Sequence, residues 1–235
     1  MPAPRLSGTL LWIQSLAGKP SRAMRPRRRK GSCYFCGTRE NIDRDHIPGK
    51  LFGVTGTKHG LVLPACRECN KSWEKDQQFF RLRIVLHLGS KPCARFLHAR
   101  ELLRLKGRQG RKPQVGRYLR ERAKTFSAGG VEYTGLTDSD YEKISNVIRH
   151  WAAGLHFSQT GRQASLPGTI ADTIASPKVD PRKLEEMLKR HLSGVWPAST
   201  GELARWWFVP GRKPNKSVIA FRLLESETLW FLIRF

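Results

Sequence analysis

Apolar residues recur along the chain with changing period, and the changes mark the elements. Residues 1–32 hold no period, because Pro2, Pro4, Gly8, Gly18 and Pro20 interrupt each short apolar run, so they predict a disordered tail. Residues 33–63 read as strand and loop, with Leu61-Val62-Leu63 a short strand. From Cys69 to about Leu88 the period turns helical, with Trp73, Phe80, Ile84 and Leu88 on one face. Pro92 after Ser90 opens a further helix. Along it Phe96, Leu97, Leu103 and Leu105 mix with Arg95, Arg100, Arg104 and Lys106, until Gly107, Gly110 and Pro113 end it.

The second half reads as a separate α+β unit, with no internal repeat. Thr137 and Asp140 make a start like a capping box, with Asp in place of Glu. Tyr141, Ile144, Ile148, Trp151 and Leu155 then follow at steps of three and four. Asp180-Pro181 opens another helix with Leu184, Met187, Leu188 and His191 on one side. Strands are expected at roughly 203–209, 217–224 and 228–234, divided by Pro210-Gly211 and by Glu225-Ser226-Glu227. The divisions expected are a basic tail at 1–32, a motif-bearing module at 33–90, a basic helical linker at 91–124 and an α+β domain at 125–235. Trp151, Trp196, Trp206, Trp207 and Trp230 read as core rather than as a surface for stacking bases. Histidines 87, 98, 150, 156 and 191 lie on or near apolar helical faces and read as structural.

Composition adds scale. With 235 residues, 39% apolar and 9% aromatic, the chain suits one large or two small domains with a real core. No run of about 18 apolar residues exists, which excludes a spanning helix. Charge adds direction. Of 43 basic and 19 acidic residues, 29 basic and 8 acidic lie in residues 1–124, so +21 of the net +24 sits there. Such an excess attracts a polyanion and releases its counterions. Nucleic acid is the first partner class, DNA before RNA. An anionic membrane is second, without a lipidation signal or a basic amphipathic anchor. A basic pI that only aids solubility is the plainer alternative. The arm Arg27, Arg28, Arg29 and Lys30, with Arg44, Lys50, Arg67 and Lys71, supplies candidate phosphate contacts. No interface is readable, so the oligomeric state stays open.

Cysteine spacing brings in chemistry. Cys33 and Cys36 form one CxxC, Cys66 and Cys69 another, with 29 residues between them, and Cys93 stands apart as a buried or idle thiol. Two such pairs offer four thiolates to one tetrahedral Zn²⁺. Gly37 lets the backbone turn back after the first pair. The N-terminus carries no convincing secretory leader, so the pairs predict a metal site in a reducing cytoplasm rather than disulfides. Met24 is a second candidate start.

Between the pairs lies Asp45-His46-Ile47-Pro48, and Asn70 follows Cys69 directly. The series CYFCG, DHIPG, LVL and CRECNK resembles the HNH endonuclease family over roughly residues 30–85. The resemblance implies a ββα-metal fold on a treble-clef zinc knuckle, with Zn²⁺ structural. It also implies His46 as the general base that activates water. Asp45 and Asn70 then bind one divalent ion, Mg²⁺ or Mn²⁺, at the scissile phosphate. The residue chemistry agrees: imidazole accepts a proton near neutral pH, and carboxylate and amide oxygens suit a hard cation.

The chain departs from the family at four places. Gly60, preceded by His59, stands where an Asn often precedes the strand. Gly49 stands where a second Pro is common, and Gln77 and Gln78 replace acids found in one branch. The fold class expected is therefore α+β: a zinc-stabilised module, a basic helical segment and a C-terminal unit with an antiparallel sheet. The leading function is a metal-dependent HNH endonuclease hydrolysing DNA phosphodiesters. Asp45 and Asn70 read alone are also ordinary turn and helix caps. A non-catalytic zinc-stabilised nucleic-acid-binding protein is accordingly the alternative, and a protein-interaction module built on the zinc scaffold is the third reading.

Overall fold

A computed structural model of the chain describes residues 31–49, 52, 60–87, 125–128, 131–134, 138–164, 169–174, 181–198, 201–223 and 230–235. The arm at Arg27 to Lys30, together with Lys50, His59, Cys93, His98 and the basic helix expected at 91–124, lies outside the described residues.

The architecture is α+β. Strands β1 (Ile42–Ile47) and β2 (Leu61–Cys66) pair antiparallel, with Asp45 opposite Leu63 and His46 opposite Val62. The chain then enters α1 (Arg67–Ser72) and α2 (Glu74–His87). Periodicity predicts one helix from Cys69 onward, and two are found. Trp73 leaves helical geometry at φ −110° and ψ 5°, and its buried indole becomes a packing anchor between them. A small hairpin follows, β3 (Thr125–Ala128) with β4 (Val131–Thr134).

Helix α3 (Asp138–Thr160) is the axis of the fold. Ile144, Ile148, Trp151 and Leu155 are buried as the periodicity predicts, but so are Val147, His150, Ala152, Ala153 and His156. A helix buried on most of its circumference has neighbours on several sides. Here they are α2 and β2 on one side, and two strands of the C-terminal sheet on the other. Trp151 shows the arrangement in a single side chain. Its fully buried ring packs edge-on to Phe52 and Phe80 of the cysteine-bearing part and to Trp196 and Phe221 of the sheet. One hydrophobic cluster therefore runs from Cys33 and Tyr34 through α3 to Phe231 and Phe235.

That sheet has five antiparallel strands in the order β5-β9-β8-β7-β6. They are β5 (Thr169–Ile174), β6 (Leu192–Ala198), β7 (Gly201–Pro210), β8 (Ser217–Leu223) and β9 (Trp230–Arg234), with α4 (Pro181–Leu188) between β5 and β6. The three strands expected from alternation, β7, β8 and β9, are the central ones. The two not foreseen, β5 and β6, are the edges, where a strand pairs on one side only and tolerates Gly194 and Pro197. No helix among the described residues is long and apolar enough to cross a membrane.

A candidate four-cysteine metal centre and its hairpin

The two cysteine pairs converge. Cys33, Cys36, Cys66 and Cys69 bring their Sγ atoms within 4.8 Å of one another, and all four thiols are free. Local structure explains the approach. The first pair sits on a turn closed by the Gly37 N–H to the Cys33 carbonyl at 3.0 Å, and Gly37 holds φ +84°, where glycine is at ease. The second pair spans the end of β2 and the first turn of α1, where Cys66 caps the helix and its sulfur accepts from the Cys69 N–H at 3.4 Å.

The geometry fits zinc. Four thiolates about 2.3 Å from one ion stand about 3.8 Å apart. The Cys36 and Cys66 sulfurs are 3.6 Å apart, close to that spacing and far beyond a disulfide bond. Burial pushes the Cys33 thiol up, but the backbone N–H groups of Cys36, Cys66 and Phe35 outweigh it and bring it down to about 7. Burial pushes Cys69 up instead, and the neighbouring sulfurs add to the rise. Four thiols this close cannot all ionise unaided, and a bound cation removes that conflict.

The hairpin residues part company. On β1 successive side chains point to opposite faces. Asp45 and Ile47 face the core and are buried, whereas His46 is half-buried on the other face. Asn70, on α1, is half-buried beside the second cysteine pair. Of the candidate phosphate contacts, Arg44, Arg67 and Lys71 are exposed on the hairpin and on α1.

Asp45 has two partners that sequence reasoning did not assign to it. The Tyr34 hydroxyl donates to Asp45 Oδ2 at 2.8 Å, and His150 Nε2 lies 3.0 Å from the same oxygen. Because a carboxylate only accepts, that nitrogen carries the hydrogen. The Tyr34 hydroxyl and His150 Nε2 also touch each other. Burial holds His150 below its ordinary value, although the hydrogen bond and charge of Asp45 pull it upward. Burial, then the charge of Asp45, pushes Tyr34 far above the usual phenol range, so it stays a donor. The imidazole is boxed by Trp73, Phe35 and Tyr34, all from the cysteine-bearing part. Reading His150 as a plain core histidine is therefore incomplete. Tyr34 has a local signal, its place between Cys33 and Cys36. His150 has none, because its partner lies 105 residues away.

Gly49 and Gln77 meet in space. A Cβ placed on Gly49 would stand 2.0 Å from Gln77 Oε1, so the glycine and the buried glutamine fill one space between them. Gln77 Oε1 finds no hydrogen-bond partner among the described residues. Asn146 of α3 donates to Asp76 of α2 at 3.2 Å, a polar tie between the two helices. No family model matches the chain, and no curated protein or solved structure gives a significant match.

Proposed function

We propose that this protein is a metal-dependent endonuclease of the HNH type that hydrolyses DNA phosphodiesters. The reading is carried by one observation. The strand bearing Asp45 and His46 pairs with the strand that ends at Cys66, and Asn70 follows Cys69 on the next helix, all around one cluster of four cysteines. In this reading the cluster holds structural Zn²⁺. His46 takes the proton of the attacking water. Asp45 and Asn70 would hold a divalent ion, Mg²⁺ or Mn²⁺, which when bound neutralises charge on the scissile phosphate and steadies the leaving oxygen. Arg44, Arg67 and Lys71, with the basic arm, would grip flanking phosphates.

A second reading draws on the burial of Asp45. A carboxylate enclosed by Tyr34 and His150 also suits a purely structural tie, and the protein would then be a zinc-stabilised nucleic-acid-binding protein without catalysis.

Supercoiled plasmid, incubated with the full chain at low salt in Mg²⁺ or Mn²⁺, separates the two. The nuclease reading expects nicked circles from the wild type, none in EDTA, and none from His46→Ala at unchanged zinc content. Plasmid that is retarded on the gel but stays supercoiled would establish the binder for DNA. The same assay on single-stranded RNA then asks whether RNA is the substrate.

A further inference from the structure

We propose that His150 and Tyr34 are positioning residues for Asp45, so that a helix from the C-terminal half completes the hairpin site. This inference rests on the nuclease reading above. Both hydrogen bonds converge on one oxygen, Oδ2. That two-point hold engages Oδ2 and leaves Oδ1 as the oxygen that would meet a divalent ion. Groups that hydrogen-bond a metal-binding carboxylate orient it and tune its basicity.

The positioning pair is itself held firmly. The imidazole sits among the rings of Trp73, Phe35 and Tyr34. One residue on, Trp151 locks the helix between Phe52, Phe80 and the sheet. Four residues on, Gly154 lies so close to the hairpin that a Cβ there would stand 2.1 Å from Ile47 Cδ1. Simple adhesion between helix and hairpin does not need a buried carboxylate, because apolar residues of similar volume serve that purpose at least as well. A polar cluster set into an aromatic box instead holds the Asp45 carboxylate in one orientation.

The test uses the full chain as wild type, Tyr34→Phe, His150→Phe and His150→Gln. Mn²⁺ binding is followed by electron paramagnetic resonance, and plasmid nicking is titrated against Mn²⁺. Tyr34→Phe and His150→Phe should weaken Mn²⁺ binding roughly 10–100-fold and raise the Mn²⁺ needed for half-maximal nicking in parallel. Zinc content, and plasmid retardation without added Mn²⁺, should not change. His150→Gln, whose amide N–H can replace Nε2–H, should recover most of the loss, which a merely space-filling role would not produce. Unchanged Mn²⁺ binding in Tyr34→Phe and His150→Phe, with an active wild type, overturns the positioning role alone. A wild type that neither binds Mn²⁺ nor nicks overturns the nuclease reading and this inference with it. Should His150→Phe lose zinc or fail to fold, Tyr34→Phe decides the matter, since it removes a single oxygen.

Discussion

Asp45 of the first strand and His150 of the central helix are hydrogen-bonded at 3.0 Å although 105 residues separate them. Both side chains are almost fully buried. The bond therefore forms only when hairpin and helix have docked, and it makes the setting of the hairpin carboxylate depend on the other half.

Loss of the metal should undo the first of those partners. Cys36→Ser or Cys66→Ser removes one of four thiolates, and the remaining three cannot close a tetrahedral structural site. Zinc affinity should fall by more than the roughly 10–100-fold that altering a ligand's hydrogen-bond partner costs. A chromophoric chelator competition measures this. Circular dichroism should show a lowered melting temperature in both variants and in chelator-treated wild type, because metal binding contributes folding free energy.

Gly154 offers a packing test with a built-in rescue. In an exposed helix Gly→Ala stabilises by roughly 0.5–1 kcal/mol. Here the added methyl collides with buried Ile47, and overpacking costs about 1–3 kcal/mol. Gly154→Ala should therefore destabilise by about 1 kcal/mol in urea unfolding. Adding Ile47→Val removes the colliding Cδ1 and should make the double variant less destabilised than the sum of the two single changes.

Stability should fall on the acid side through His156. Its Nδ1 meets the Ser217 hydroxyl at 2.7 Å, and burial lowers its pKa from 6.5 to about 4. The fold keeps the ring neutral while the unfolded chain binds a proton. Stability from this group is thus complete above about pH 6.5, is lost as pH falls, and levels off near pH 4. One proton gives a slope of up to about 1.4 kcal/mol per pH unit. His150 and His191 are shifted in the same direction and add to it. Urea midpoints between about pH 7 and pH 4 should trace the decline, and His156→Asn should reduce its slope by one proton at most.

The exposed cations near the four-cysteine cluster predict a salt signature. Each true phosphate contact removed should lower the slope of log K against log salt by about 0.9 on duplex DNA. Arg67→Ala and Lys71→Ala should each show that change across sequences, measured by fluorescence anisotropy. Unchanged slopes would place the DNA elsewhere on the protein.

Short-range chemistry is legible without coordinates. Four cysteines on two tight turns, a strand leading into the second pair, the apolar stripe of α3 and the three central strands all depend on neighbours within a few residues, and all are found. The kink at Trp73 and the edge strands are not legible. The first arises because an indole seeks a distant core, and the second because edges are held by backbone pairing more than by side-chain pattern.

By itself the sequence determined which residues could bind a metal or carry charge, since ligand type and spacing are local properties. Tertiary structure alone decided that Asp45 turns inward while His46 does not, that Tyr34 and His150 share one of its oxygens, and that Gln77 fills the space beside Gly49. These arrangements arise from burying a common core between parts far apart in the chain. No local pattern records which residue will stand opposite which once that core has closed.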